Sequence, residues 1–568
     1  MVRACAAVLA LAILGGVAYY FVYRPYRARD LAAKALASID SGNYRSAWLQ
    51  ITSARKLGEG DASVLRAAAI FEGKLGRRES LELWEQVARQ ASLDNDDRAS
   101  RAVAAMLFGT DEQFTASLAE LETSGHRVKA EALRVSRLST RGNLTPAIAE
   151  AKRAAAETGD AGLKLGYAKL LLRYHAVTGD GPTPPQSILA YKEMASIVDE
   201  LQSTPEAQNA LAFGLDYLKV PGDVRRRWID AALADVSPSN PALLPAADAA
   251  VQSGYLGAAA LHAKLGPVYD KAPLDQRCAY SLWLSSQGMP REAVALITPV
   301  EATGDPVAFA ARAAGLAGLG NWPAIVASAD SATGPPESVR VLTRARAEVV
   351  MGGPEKALSS IRLGLQAAAR EGRLPAAVGM VDKLEGGPAA VDEQLVQLSS
   401  RPGLADLAFR MLRARWSRTK GTDALVPVHA AAGKASPDAA SVRDFGRYLA
   451  LTQKADKDYA GGGTDIADHD TLAAVVSDPA DIDARVTRAL HLLLLRRPDD
   501  AGAVFDDVTV FFETLPPGQQ AVIAAVNQAR GQHELARAMR DKIDTSVLNA
   551  GERGLLQGIT TVPDPEKE

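Results

Sequence analysis

Four places in this 568-residue chain carry side chains that could do chemistry. Asp465, Asp468, His469 and Asp470 follow the glycine run Gly461-Gly462-Gly463 and offer oxygen and imidazole donors of the kind that hold a divalent cation. The same residues read more simply as a solvated loop leading into a helix N-terminal cap. Gly433-Lys434-Ala435-Ser436 looks like the end of a phosphate-cradling loop, but Val428 stands where the first glycine is required and no strand precedes it. Two basic stretches, Arg225-Arg226-Arg227-Trp228 and the run Arg410, Arg413, Arg415, Trp416, Arg418, Lys420, could meet phosphates or anionic lipid, although solvated helix faces share that composition. No two of the seven histidines flank a glutamate at i, i+4 as a metalloprotease helix requires, and no Gly-x-Ser-x-Gly elbow occurs. The two cysteines, Cys5 and Cys278, lie too far apart in the chain to suggest a disulfide framework or a structural zinc site. The expectation is therefore no catalytic residue, no cofactor, no metal, and no enzyme.

Whatever the chain binds must be positioned by a helical pattern that recurs along it. Gly42-Asn43-Tyr44-Arg45-Ser46-Ala47, continuing through Ile51 to Ala54, puts a glycine where one helix ends. The next helix then carries Ala47 and Ala54, seven apart and so nearly on one face, where a neighbour can approach closely. The pattern returns thirty-four residues later at Gly76 and Ala88, loosely at Gly109, and clearly at Gly142-Asn143-Leu144 with Ala147, Ala151 and Ala154. After an irregular segment near 159–222, which contains the loop Gly179-Asp180-Gly181-Pro182-Thr183-Pro184-Pro185, it resumes at Gly254 (Leu256, Ala259, Ala263) and Gly288 (Ala293, Ile297). Gly320 (Trp322, Ile325) and Gly352 (Ala357, Ile361) follow, and small residues stand seven before several of these glycines, at Ala35, Ala69, Ala247, Ala313 and Ala345. Self-similarity at thirty-two to thirty-four residues predicts an all-α solenoid of helix pairs. Composition agrees: 47% hydrophobic with only 5% aromatic residues favours helix over sheet, and a net charge of −3 leaves no footprint for nucleic acid.

At the start, Ala4 to Val22 is a nineteen-residue apolar run without a charge, bounded by Arg3 and by Arg24, Arg27 and Arg29. As a helix it would reach about 28 Å, close to the hydrocarbon thickness of a bilayer. Tyr19, Tyr20, Tyr23 and Tyr26 gather at its end, where amphipathic rings suit a membrane interface. A single transmembrane helix within residues 1–24 is expected, in preference to a cleaved signal peptide. The flanking charges slightly favour a cytoplasmic body. Beyond Gly372 the pattern loosens, with breaks at Gly386-Gly387-Pro388 and at the glycine run. It is recovered at Arg496-Arg497-Pro498 (Ala501, Phe505) and Gly531-Gln532-His533 (Ala536), so residues 373–568 are expected to form degenerate hairpins ending in a polar tail from Val562.

The turn glycines and the small residues at the helix-crossing positions resemble the tetratricopeptide repeat family over about residues 28–372. That resemblance implies a right-handed superhelical solenoid whose concave groove docks protein partners. It also implies that binding residues occupy the fifth and ninth positions of each first helix. Carried onto this chain, these are Arg66 and Ile70, Ala132 and Ser136, Leu244 and Asp248, Cys278 and Leu282, and Leu342 and Arg346. The lysine and asparagine with which chaperone-binding members clamp a peptide carboxylate are missing from those places. The chain is also similar to bacterial single-pass members that scaffold envelope or polysaccharide assembly, without the C-terminal paired cysteines of the lipopolysaccharide-assembly type. The expected function is a membrane-anchored docking scaffold at the bacterial inner membrane. The competing expectations are an enzyme site within the C-terminal third, or a groove for glycan or lipid.

Overall fold

A helix ends with carbonyls that have no partner, and a residue in the left-handed region lets the following N–H groups turn back to them. The computed structural model, which describes residues 19–40, 43–177, 185–458 and 466–559, uses this device between the two helices of most pairs. Gly76, Gly142, Gly254, Gly288 and Gly320 all have φ between 65° and 76°. After each of them the next N–H reaches back to a carbonyl of the last turn: Arg77 to Glu72 at 3.0 Å, Asn143 to Leu138 at 3.0 Å, Tyr255 to Ala250, Met289 to Leu284 and Asn321 to Leu316 at 2.9 Å. Among the described residues every regular element is helical. Gly42, Cys5, residues 4–18 of the apolar run, the loop at 179–184, the glycine run with Asp465, and the tail from 562 lie outside them.

The chain divides into two units, residues 1–170 and 171–568. In the first, the pairs are Arg24–Asp40 with Tyr44–Gly58, Ala62–Lys74 with Glu79–Gln90, Asn95–Phe108 with Asp111–Thr123, and Arg127–Thr140 with Leu144–Thr158. Ala35, Ala47, Ala54, Ala69, Ala147 and Ala154 are all fully buried, as close helix crossing requires. In the second unit the segment 185–234 forms three helices, Pro185–Leu201, Ala207–Tyr217 and Gly222–Ala234. Pairs then resume, including Leu274–Ser286 with Pro290–Ala295, Pro306–Gly318 with Trp322–Ser331, Glu337–Gly352 with Pro354–Arg370, and Pro517–Ala529 with His533–Arg540. One buried cluster runs from Leu342 to Ile559, so the helices on either side of residue 372 share a core.

Side-chain bonds repeat with the same period as the turns. Arg29 reaches Asp61, Arg66 reaches Asp97, Arg137 reaches the Ala105 carbonyl, Arg362 reaches Glu393 and Arg413 reaches Asp444, all spanning 31 or 32 residues. Each such bond ties a helix to its counterpart one repeat on, which is the nearest-neighbour stacking of a repeat protein.

The structure corrects the pattern in three places. Gly352 is the last residue of its helix, and the turn is made by Gly353 (φ 83°). Gly109 is extended (φ −84°, ψ 161°), and its turn is completed by a capping box in which the Thr110 hydroxyl accepts from the Gln113 N–H. Ala259 and Ala263 are exposed while Leu261 and Leu265 are buried, because Tyr255-Leu256-Gly257 delays the start of their helix to Ala258.

Arg496 takes the place of the turn glycine between Ile482–Leu494 and Pro498–Ala503. It is the one described non-glycine residue with positive φ (58°), and the Arg497 N–H still closes onto the Leu492 carbonyl at 3.0 Å. An L side chain in this region is strained by about 1–2 kcal/mol. Arg496→Gly is therefore expected to stabilise the second unit by about 1 kcal/mol, read as a higher urea midpoint with an unchanged slope.

At the N-terminus, Tyr19–Tyr23 forms a single π-helical turn in which Tyr19, Tyr20, Phe21 and Tyr23 are exposed. Among the described residues no helix is long and apolar enough to cross a membrane.

Candidate functional site

The ninth positions inferred from the repeat frame mark concave surface in three repeats. Ile70 lines a cavity of about 230 Å³ with Trp84, Val103 and Leu107. Ser136, with Ala132 four residues before it, lines a cavity of about 740 Å³ bounded by the helix Arg127–Thr140 and the start of Ala161–Val177. Leu342 and Arg346 line a cavity of about 710 Å³ between Pro306–Gly318, Glu337–Gly352 and Leu374–Val381. In this last case the fifth position is floor, with Leu342 buried, and the ninth is rim, with Arg346 exposed. A helix brings i and i+4 to one face, which is why the two positions travel together.

The other inferred positions do different work. The Arg66 guanidinium is held by Asp97 at 2.6 Å and Asp94 at 2.8 Å, one repeat on. Asp97 is buried, and desolvation pushes its carboxyl above the ordinary value even against Arg66. Asp248 accepts from the Gln252 amide at 2.5 Å and the Gln287 amide at 2.8 Å, so its oxygens are taken up within the fold. Cys278 corrects the frame. Its side chain is fully buried with Ile297, Ala302, Ala308 and Ala311 and does not face a groove. Burial pushes its thiol up to about 11, which keeps it protonated and inert at neutral pH. Leu282, four residues on, is the exposed member of that pair.

The cavity at Ser136 is mostly apolar, with Leu163, Gly166, Tyr167 and Leu170 facing Ala132 and Val135. Its polar lining includes Lys129 and His126, whose Nε2 is buried without a hydrogen-bond partner among the described residues. It also includes Asp160, which caps the next helix by accepting from the Leu163 N–H at 2.9 Å. The sequence frame pointed to Ala132 and Ser136 but missed the facing helix. The signal there was Gly162 and Gly166 at i, i+4, which remove side chains from one face. The cavity at Arg346 adds Met380 and Lys383 from a segment outside the frame, for which the sequence held no signal.

The two basic stretches lie largely on exposed helix surface, as expected, and most of their charges are paired within the fold. Arg227 pairs with Asp199 at 3.1 Å, and Arg226 stacks over Tyr255 with 4.8 Å from its guanidinium carbon to the ring centre. In the second stretch Arg410 pairs with Asp406, Arg415 with Asp382 and Asp392, and Lys420 with Asp392, while Arg418 donates to the Thr514 carbonyl. Arg413 is buried between Asp444 and Asp483. Asp468 and His469 are the first residues of a helix whose N-cap position, Ala467, makes no side-chain cap bond; Asp468 pairs with Arg488 at 2.5 Å and His469 is exposed. Among the described residues no group of three or more His, Cys, Asp or Glu side chains is placed to hold a metal ion.

The C-terminal helices enclose a polar core. The carboxylate of Glu552 accepts from the Thr422 hydroxyl at 2.7 Å, the Tyr448 hydroxyl at 2.8 Å and the Asn549 N–H at 2.9 Å. Burial raises both Glu552 and Tyr448 above their ordinary values. Asp444 lies in the same core, taking a hydrogen bond from the Thr487 hydroxyl at 3.2 Å.

No protein-family model matches the chain, and no curated protein matches it in sequence. Among solved structures it is similar, at 12% identity over 94% of its length and 96% of the other's, to a chain of the APC/C hetero-tetramer Cut9-Hcn1, with a TM-score of 0.29. A chain of Naa15/Naa10 bound to HypK-THB is similar at 13% identity, covering 91% and 94% of the two lengths, with a TM-score of 0.20. The pentatricopeptide repeat protein PPR10 from maize is similar at 12% identity over 97% and 95%, with a TM-score of 0.23. At such TM-scores these matches do not define the fold, which rests on the helix pairs and their turns.

Proposed function

We propose that the chain is a tetratricopeptide-like scaffold that docks a protein partner in the concavities of its helix pairs. A membrane anchor within residues 4–22 holds it at a bacterial inner membrane, with its soluble body in the cytoplasm, where it serves envelope or polysaccharide assembly. The observation that supports docking is the placement of Ile70, Ser136 and Arg346, each at the same frame position and each lining a concavity. Ser136, Lys129, Arg346 and Lys383 make no side-chain hydrogen bond or ion pair among the described residues, so the linings keep polar capacity for something outside the chain. The anchor is supported by the apolar run itself and by the exposed rings of Tyr19, Tyr20, Tyr23 and Tyr26 after it, as an interfacial belt requires.

The test is crosslinking of the full-length protein in membranes that resist carbonate extraction, comparing wild type with Ser136→Trp and Arg346→Glu. Tryptophan fills one cavity and glutamate reverses the rim charge of another, and neither disturbs a buried bond. A discrete crosslinked partner, reduced several-fold in at least one variant, is expected. Identical crosslinks from all three proteins would overturn groove docking, and release by carbonate would overturn the anchor. Arg66→Ala is unsuited to this purpose, because it strips the counter-ion from buried Asp97 and would act through stability.

A further inference from the structure

We infer that the groove between Pro306–Gly318, Glu337–Gly352 and Leu374–Val381 takes an acidic amphipathic helix of a partner protein, with apolar side chains on the groove floor and carboxylates on Arg346 and Lys383. The inference rests on the docking reading and names the chemistry of the partner. The floor is built from Ala313, Ala317, Ile325 and Leu342, and no Asp or Glu is among the lining residues. Two cations therefore stand over an apolar surface with nothing in the groove to neutralise them.

Three nearby arginines, by contrast, are already neutralised within the fold. Arg344 is held by Glu348 at 2.7 Å and Asp330 at 3.1 Å, Arg362 by Glu393 at 2.8 Å, and Arg370 by Glu337 at 3.3 Å. Arg346 and Lys383 have no such partner among the described residues, in a chain whose 67 acidic groups outnumber its 64 basic ones.

Charge complementarity selects an anion, and the floor selects its shape. A small anion would leave the alanines, Trp322 and Met380 uncovered. A fatty-acid tail needs enclosure, whereas Met380 is 44% exposed and Ala310 at the rim is exposed too. An amphipathic helix lays one apolar face into an open groove of this kind and keeps its flanking carboxylates at the edge. Methionine at the rim lets the surface adapt to the side chains it meets.

The experiment is selection of a displayed random peptide library on the immobilised full-length protein in detergent. Anisotropy titrations then compare the enriched peptides on wild type, on Arg346→Glu/Lys383→Glu and on Arg346→Gln/Lys383→Gln. Circular dichroism confirms that the helices of each variant are intact. Enriched peptides are expected to interleave Asp or Glu with Leu, Ile or Phe. Their binding should weaken about tenfold or more on charge reversal, less on neutralisation, and progressively with salt.

Peptides without acidic bias, binding indifferent to the reversal, or no enrichment would overturn the inference. Binding of oleate in place of any peptide would also overturn it and assign the groove to a lipid carboxylate. In each of these cases a crosslinked partner lost in Ser136→Trp would still uphold the scaffold reading, so the two failures are distinct.

Discussion

Arg413→Met is expected to destabilise the second unit by about 3–5 kcal/mol, the range for removing one partner from a buried charge pair. The guanidinium side chain is 8% exposed, stacks 5.0 Å from the Phe445 ring centre, and stands 3.1 Å from Asp483 and 3.5 Å from Asp444. Methionine would keep much of the stacking volume while leaving the carboxylates without a cation, so the loss measures charge rather than packing. Asp444 is the vulnerable member, since it is 4% exposed and its second oxygen accepts no hydrogen bond among the described residues.

The same geometry fixes a pH dependence. Burial pushes Asp444 up to about 6, outweighing a guanidinium contact that is long for an ion pair. The native state therefore holds this proton more tightly than the unfolded chain, in which the value is the ordinary 3.8. Stability from this group is fully present below 3.8 and is lost as pH rises through about 6, by on the order of 3 kcal/mol. Arg413→Met should accordingly be milder at pH 5 than at pH 8, because a protonated Asp444 needs no counter-ion. Asp444→Asn should flatten the dependence between pH 4 and 6. Urea unfolding followed from about pH 4 to pH 8 by tryptophan fluorescence reads all three. An Arg413→Met loss independent of pH would show that Asp444 is not the carboxyl left exposed to the missing charge.

The second large effect is expected at Trp228, where replacement by alanine should destabilise by about 3–5 kcal/mol. The ring is fully buried, and its indole N–H donates to Asp199 at 2.6 Å, joining Gly222–Ala234 to Pro185–Leu201. The third helix, Ala207–Tyr217, meets the ring at Gly214, where a Cβ would come within 2.7 Å of the indole. Alanine at 228 would leave a cavity bordered by a glycine that has no side chain to fill it, and would leave Asp199 without its buried donor. Thermal unfolding monitored by far-UV circular dichroism should show a lower midpoint. A loss under about 1 kcal/mol would mean that the three helices repack around the gap.

Trp228 follows directly on the irregular segment and Arg413 lies in the C-terminal third, where the sequence pattern was weakest. The turns were legible because the left-handed residue at a helix end is a local requirement that glycine meets without strain, and it recurs at a fixed interval. The buried alanines Ala35, Ala47, Ala54 and Ala69 were legible for a related reason, since a helix crossing tolerates only small side chains. Arg496 was legible by interval and not by residue type: it stands 35 residues before Gly531 and takes, at φ 58°, the left-handed conformation that glycine takes at the other turns.

The candidate site was legible by half. The frame marks Ser136 and Arg346 on concave surface, yet it treats Arg66 and Cys278 alike and cannot distinguish them. A residue's place in a helix is decided by its own stretch of sequence. Whether it faces a groove, a core or an ion-pair partner is decided by the helix packed against it. For Arg66 that partner lies 31 residues away, and for Cys278 it is the apolar set from Ile297 to Ala311. Lys383 and Met380 reach the Arg346 groove from a third helix and its end, by the same route. Sequence alone determined that this chain is a succession of helix pairs of fixed period with an apolar run before it. Only tertiary packing decided which charges are paired inside the array and which are left without an acidic neighbour, because burial and pairing are properties of neighbours rather than of residues.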